Sequence, residues 1–101
     1  MKTPWHIPLV GYDTFDEFLS RLPKHSRLTG IELDAKAKPI QRFVHPEQAV
    51  YLLGAEDYGL PQSILGGCHA IVQLPGDLCL NVAVAGSIVM FDRINKALAP
   101  E

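Results

Sequence analysis

No apolar run in this 101-residue chain approaches the ~18 residues a membrane-spanning helix needs. The amino terminus, Met1-Lys2-Thr3-Pro4-Trp5-His6, lacks the apolar core of a secretory signal. Cysteine is scarce. Cys68 and Cys79 form no Cys-x-x-Cys and have no companion pair, which argues against a structural zinc site. With no export signal, the expectation is a cytoplasmic protein with reduced thiols. His6, His25 and His45 show no metal-ligand spacing and read as surface or loop positions, so no metal is expected. Neither Gly-x-x-x-x-Gly-Lys nor Gly-x-Gly-x-x-Gly occurs, which argues against the common phosphate-binding loops. Charge of one sign is missing too: the net charge is −2, so there is no broad basic field to hold a nucleic acid unaided.

What is present is an ordinary globular balance, 48% hydrophobic and 20% charged, in a length that suits one small domain. A domain this small buries a modest share of its surface, so a partner chain would help it. Ile7 to Val10 reads as a short strand end before Gly11. Asp13 or Thr14 caps a helix with Asp16 and Glu17 in its first turn, Phe15, Phe18, Leu19 and Leu22 on one stripe, and Pro23 as its stop. Arg27 to Leu33 reads as a strand ending at Asp34, and Ala35 to Pro46 as loop. Ala49-Val50-Tyr51-Leu52-Leu53 is a continuous apolar run of the kind found in buried parallel strands. A short helix opens at Gly59-Leu60-Pro61, runs through Leu65 and closes at Gly66-Gly67. Cys68 to Leu74 is a further strand, ended by Pro75-Gly76.

Leu80 to Leu98 has the pattern of a long helix that is apolar on nearly every side through Phe91, with small residues at Ala83, Ala85, Gly86 and Ser87. Such a helix must be buried on more than one face, which predicts a subunit interface. The order of elements predicts an α/β fold with a largely parallel sheet and helices on both faces. Ligands of such sheets lie at the carboxyl ends of the strands, here Leu33-Asp34, Gly54-Ala55-Glu56 and Leu74-Pro75-Gly76.

Two stretches carry chemistry. In Leu52-Leu53-Gly54-Ala55-Glu56-Asp57-Tyr58-Gly59-Leu60-Pro61, a strand runs into two glycines that let backbone approach a ligand, with Glu56 at the pocket edge. Taken alone, this is also what a plain strand-to-helix turn with a solvated glutamate looks like. In Val72-Gln73-Leu74-Pro75-Gly76-Asp77-Leu78-Cys79-Leu80-Asn81-Val82-Ala83-Val84-Ala85, a strand end and short loop open the last helix. Asn81 there has an ordinary structural role as a helix cap. The first stretch resembles the second signature motif of the SpoU (TrmH-like) RNA 2′-O-methyltransferases of the SPOUT superfamily. The second resembles their third motif, with Leu-Asn-Val-Ala-Val-Ala the specific part. Their order and spacing are those of the family, over about residues 27–98, with a looser match across Ile7 to Leu22.

The resemblance implies a single, N-terminally truncated SpoU domain over residues 1–101, with residues 27–98 as its S-adenosylmethionine-binding part and a C-terminal trefoil knot. It implies a homodimer paired through the last helix, and methyl transfer to a ribose 2′-hydroxyl of tRNA or rRNA without a metal. Carried over by position, Leu33, Leu53, Gly54, Ala55, Glu56, Gly59, Leu74, Cys79 and Leu80 would bind the cofactor, and Glu56 and Asn81 would be catalytic. Cys79 stands where the family usually has serine; a passive pocket residue is the simpler role for it. The family's first motif, which supplies an arginine for the 2′-hydroxyl, has no counterpart, for Arg21, Arg27, Arg42 and Arg93 all lie in other contexts. Two alternatives stand beside catalysis: a non-catalytic binding or dimerisation module derived from this fold, and an unrelated small α/β domain binding another nucleotide at its strand ends.

Overall fold

The computed structural model describes residues 8–55, 58–76 and 81–98. Strands β1 (Arg27–Ile31), β2 (Lys38–Pro39), β3 (Ala49–Leu53) and β4 (Ala70–Gln73) form one sheet, parallel throughout, in the order β2-β4-β1-β3. Helices α1 (Phe15–Ser20), α2 (Gln62–Leu65) and α3 (Val82–Leu98) complete the fold, with a 3-10 turn at Ile40–Arg42. Ile31 is paired with Leu53 on one side and Val72 on the other, so β1, β3 and β4 reach their carboxyl ends at one level.

The helices lie on both faces of the sheet, as the element order predicts. A Cβ built on Gly30 would sit 3.0 Å from Leu65 of α2 and 3.2 Å from the Cys68 sulfur. The next residue, Ile31, packs in one cluster with Ala85 and Val89 of α3. Successive strand residues point to opposite faces, so α2 and α3 cover opposite sides. Val72, Leu74, Ile40 and Phe43 close the α3-side cluster, and Val72 and Leu74 are each only 1% exposed. Truncating Leu74 to alanine would cost about 2–5 kcal/mol at such a site.

Thr14, one of the two expected caps, closes the start of α1. Its hydroxyl accepts from the Glu17 N–H at 3.0 Å, and the Glu17 carboxylate accepts in return from the Asp13 N–H at 3.1 Å. The helix ends at Ser20, two residues short of the predicted stripe, and no residue of α1 is buried. Strand β3 has its expected bounds.

Other expectations are corrected. Residues 8–10 form no strand, and Leu9 is 97% exposed; Ile7 lies outside the described residues. β1 stops at Ile31, because β3 turns away at Gly54 and removes its partner on that side. The supposed loop 35–46 contains β2, where Lys38 and Pro39 pair with Val72 and Gln73. A two-residue strand holding a proline carries no hydrophobic pattern, which is why periodicity missed it. α2 begins at Gln62 with Pro61 as its cap position. β4 begins at Ala70, because Cys68 N–H still bonds the Leu65 carbonyl at the end of the preceding helix. Within this single chain α3 buries Ala85 and Val89, and its other apolar face is exposed, the face that the expected subunit interface would cover.

Candidate functional site

The strand ends position the candidate site. Where β1, β3 and β4 stop, the chain presents Glu32 and Leu33, Gly54 and Ala55, and Leu74 and Pro75 along one edge. Leu33 is 49% exposed there, while the Leu74 side chain is sunk in the core, so Leu74 meets this edge through its backbone. Of the residues predicted to bind, Leu33, Gly54, Ala55, Gly59 and Leu74 are gathered at this edge. Leu53 instead turns into an apolar groove of about 680 Å³ that it lines with Tyr51, Val82, Gly86 and Met90. Glu56, Cys79 and Leu80 lie outside the described residues.

The turn after β3 is tightly folded on itself. Gly59 N–H donates to the Ala55 carbonyl at 2.8 Å, and the two residues form an antiparallel bridge. A Cβ on Gly54 would fall 2.1 Å from the Gly59 carbonyl carbon and 2.4 Å from the Leu60 nitrogen. Gly59 has φ +68°, and its own Cβ would fall 2.5 Å from a Glu32 carboxylate oxygen. Both glycines are therefore required, one by backbone contact and the other by a left-handed backbone as well. The Glu32 carboxylate accepts from the Leu60 N–H at 2.8 Å and from the Leu33 N–H at 3.3 Å.

Asn81 stands at the start of α3, whose early turns lie against the end of β3; a Cβ on Gly86 would be 3.9 Å from Leu53. Its side-chain oxygen accepts from the Val84 N–H at 3.0 Å, and its carbonyl accepts from the Ala85 N–H. Asn81 is thus a helix cap in this structure, and it is exposed.

A second polar cluster went unread in the sequence. His45, expected at a surface or loop position, does lie in a loop, but its side chain is only 7% exposed. Its Nδ1 lies 2.7 Å from the Tyr51 hydroxyl and its Nε2 2.7 Å from an Asp92 carboxylate oxygen. A carboxylate can only accept, so Nε2 carries a proton, and Nδ1 shares a hydrogen bond with the Tyr51 hydroxyl. Arg93 donates to the Tyr51 oxygen at 2.9 Å and to the Pro46 and Glu47 carbonyls at 2.7 and 2.9 Å. Lys96 pairs with Asp92 at 2.9 Å and donates to the Ile40 and Phe43 carbonyls. Burial works against the Asp92 charge, but the Lys96 and His45 bonds outweigh it and hold its carboxyl below the usual value. The cluster fastens the β2–β3 connection to α3, and its polar groups are turned to partners within the chain. No sequence spacing links residues 45, 51 and 92–96; the signal is tertiary.

Two further groups among the described residues are spoken for by their surroundings. Burial pushes the Cys68 thiol up, which keeps it from being a ready thiolate. His69 lies just before β4, at the amino-terminal end of the sheet, where its Nδ1 accepts from the Leu28 N–H at 2.9 Å. Among the described residues no group of three His, Cys, Asp or Glu side chains is placed to hold a metal, and no helix is long and apolar enough to cross a membrane.

Comparison with known proteins meets this geometry. The family described as SpoU rRNA Methylase matches residues 1–91, reaching further toward the amino terminus than the two motifs do. A 23S rRNA (guanosine-2′-O-)-methyltransferase, RlmB of Acinetobacter baylyi, is 33% identical over 75 residues. That alignment takes in 71% of this chain and 30% of the Acinetobacter protein, so the chain spans under a third of this relative's length.

Proposed function

This chain belongs to the SpoU rRNA Methylase family, and from that premise we propose that it is the S-adenosylmethionine-binding part of an RNA ribose 2′-O-methyltransferase acting on tRNA or rRNA in the cytoplasm. The observation that carries the reading is the turn at the end of β3. There the two motif glycines are both sterically required, and they bring backbone to the edge where parallel sheets bind ligands. The edge also suits a nucleoside: Leu33 offers apolar surface for a flat base, and backbone groups stand beside it. Gly54, Ala55, Gly59 and Leu74 would grip the cofactor, with Leu33, Leu53, Cys79 and Leu80 completing its pocket and the family's knot threading the loops around it. When bound, the cofactor supplies an electrophilic methyl group.

The chain's own part in the chemistry would fall to Asn81, set to orient the 2′-hydroxyl, and Glu56, set to receive its proton at hydrogen-bond range. Two of the arginines are placed away from that task. Arg93 is tied to two carbonyls and Tyr51, and Arg27 opens β1 at the edge remote from the site. Transfer by this chain alone is therefore expected to be weak or absent while cofactor binding is kept. Titration calorimetry with S-adenosylhomocysteine checks the binding, and a folded protein that produces no saturable heat removes the reading. Strong labelling of tRNA or rRNA from methyl-labelled cofactor would remove the expectation of weak transfer.

A second reading, a binding and dimerisation module, is favoured by α3. Val84, Phe91, Ile94 and Leu98 repeat at helical spacing on one face and are all exposed in the single chain. A homodimer would cover them. Sedimentation at micromolar concentration is expected to show two chains, and a monomer would exclude it.

A further inference from the structure

Glu32 lies in neither motif, yet its carboxylate touches the motif turn at two successive residues. It accepts from the Leu60 N–H, 28 residues further along the chain, and it rests against the Gly59 Cα where a side chain would be. The Leu60 side chain lies over Gly30 of β1, 3.4 Å from where a Cβ on that glycine would be. Gly59 in turn rests on Gly54. A chain of contacts thus runs from the end of β1 through the turn to the end of β3.

We propose that Glu32 is a positioning residue for the cofactor-binding turn, setting the backbone of Gly54 and Gly59 in the geometry that receives S-adenosylmethionine. The proposal rests on the reading that this edge binds the cofactor. A carboxylate suits the task because it only accepts, and two backbone N–H groups, Leu33 and Leu60, point at it from different strands' ends. Without it, the Leu60 N–H loses its partner and the left-handed Gly59 loses the surface it rests on.

The test uses the full chain with S-adenosylhomocysteine as probe, and Glu32→Ala and Glu32→Gln as variants. In Glu32→Ala, amide hydrogen exchange at Leu60 and Gly59 is expected to quicken by about ten-fold or more, with Val72 and Leu53 unchanged, and affinity for the probe to fall by a similar factor. Glu32→Gln keeps an acceptor oxygen and should recover much of both. Unaltered exchange and affinity in Glu32→Ala would overturn the proposal. So would equal quickening at Val72, because that marks a general loss of stability. If the wild-type protein takes up no probe, the cofactor reading fails by itself, and the exchange at Leu60 still decides whether Glu32 sets the turn.

Discussion

The two ends of the sheet are held by opposite means. At the carboxyl end, the turn from Gly54 to Leu60 is held by backbone contact between glycines and by one carboxylate. On the other side, α3 is fastened to the β2–β3 connection by a network of His45, Tyr51, Asp92, Arg93 and Lys96. Judged by side-chain chemistry, the second region looks like the active one, since it contains a histidine flanked by a carboxylate and a phenol. Its groups, however, bond carbonyls and one another. The first region shows little reactive chemistry and has the geometry of a ligand edge. Backbone that must come close to a ligand calls for small residues, whereas fastening a long connection to a helix calls for long polar ones.

The largest expected effect comes from Gly54→Ala. The added carbon would meet the Gly59 carbonyl carbon at 2.1 Å, and backbone cannot step aside as a flexible side chain can. The turn must open, with a stability loss of about 3 kcal/mol in urea unfolding. Binding of S-adenosylhomocysteine should fall by roughly a hundred-fold or more. Near-normal binding would mean that the packed turn is not the ligand edge.

Arg93→Ala strikes the other region. It leaves the Pro46 and Glu47 carbonyls and the Tyr51 hydroxyl without their cationic donor. A stability loss of about 2 kcal/mol is expected, again from urea unfolding. Affinity for S-adenosylhomocysteine should stay within about three-fold of wild type, because the lost bonds lie away from the strand ends. Abolished binding in a folded Arg93→Ala protein would erase the distinction between the regions.

How far the sequence revealed each region follows from the same contrast. The strand Ala49–Leu53 and the turn after it were legible because an apolar run ending at spaced glycines is a local pattern. The cap at Thr14 was legible for the same reason: Thr14 and Glu17 are three residues apart. β2 was not, because its two residues are defined only by pairing with Val72 and Gln73. Glu32 and His45 were not, because their partners lie 28 and 47 residues away, and a charged or ring side chain in a loop reads as solvated by default. The exposed side of α3 shows the limit from the other direction. The sequence displayed an all-round apolar helix, but burial of its outer face depends on a surface the single chain does not provide.

The smallest effect refines the comparison through pH. Burial by itself would raise the Asp92 pKa, but its bonds to Lys96 and His45 prevail, and in the folded chain it lies below the ordinary carboxylate value. Folding therefore favours the ionised form. Its contribution is complete above the ordinary carboxylate range and is lost as pH falls through the lowered folded value. Urea unfolding followed from neutral pH to about pH 3 should show stability declining on the acid side. Asp92→Asn should be about 1 kcal/mol less stable near neutrality, with a shallower acid decline. If Asp92→Asn declined as steeply as wild type, other carboxylates would be responsible. Its affinity for S-adenosylhomocysteine near neutrality should match wild type, since the fastening of α3 and the turn beyond Gly54 share no polar partner in the bonds described above.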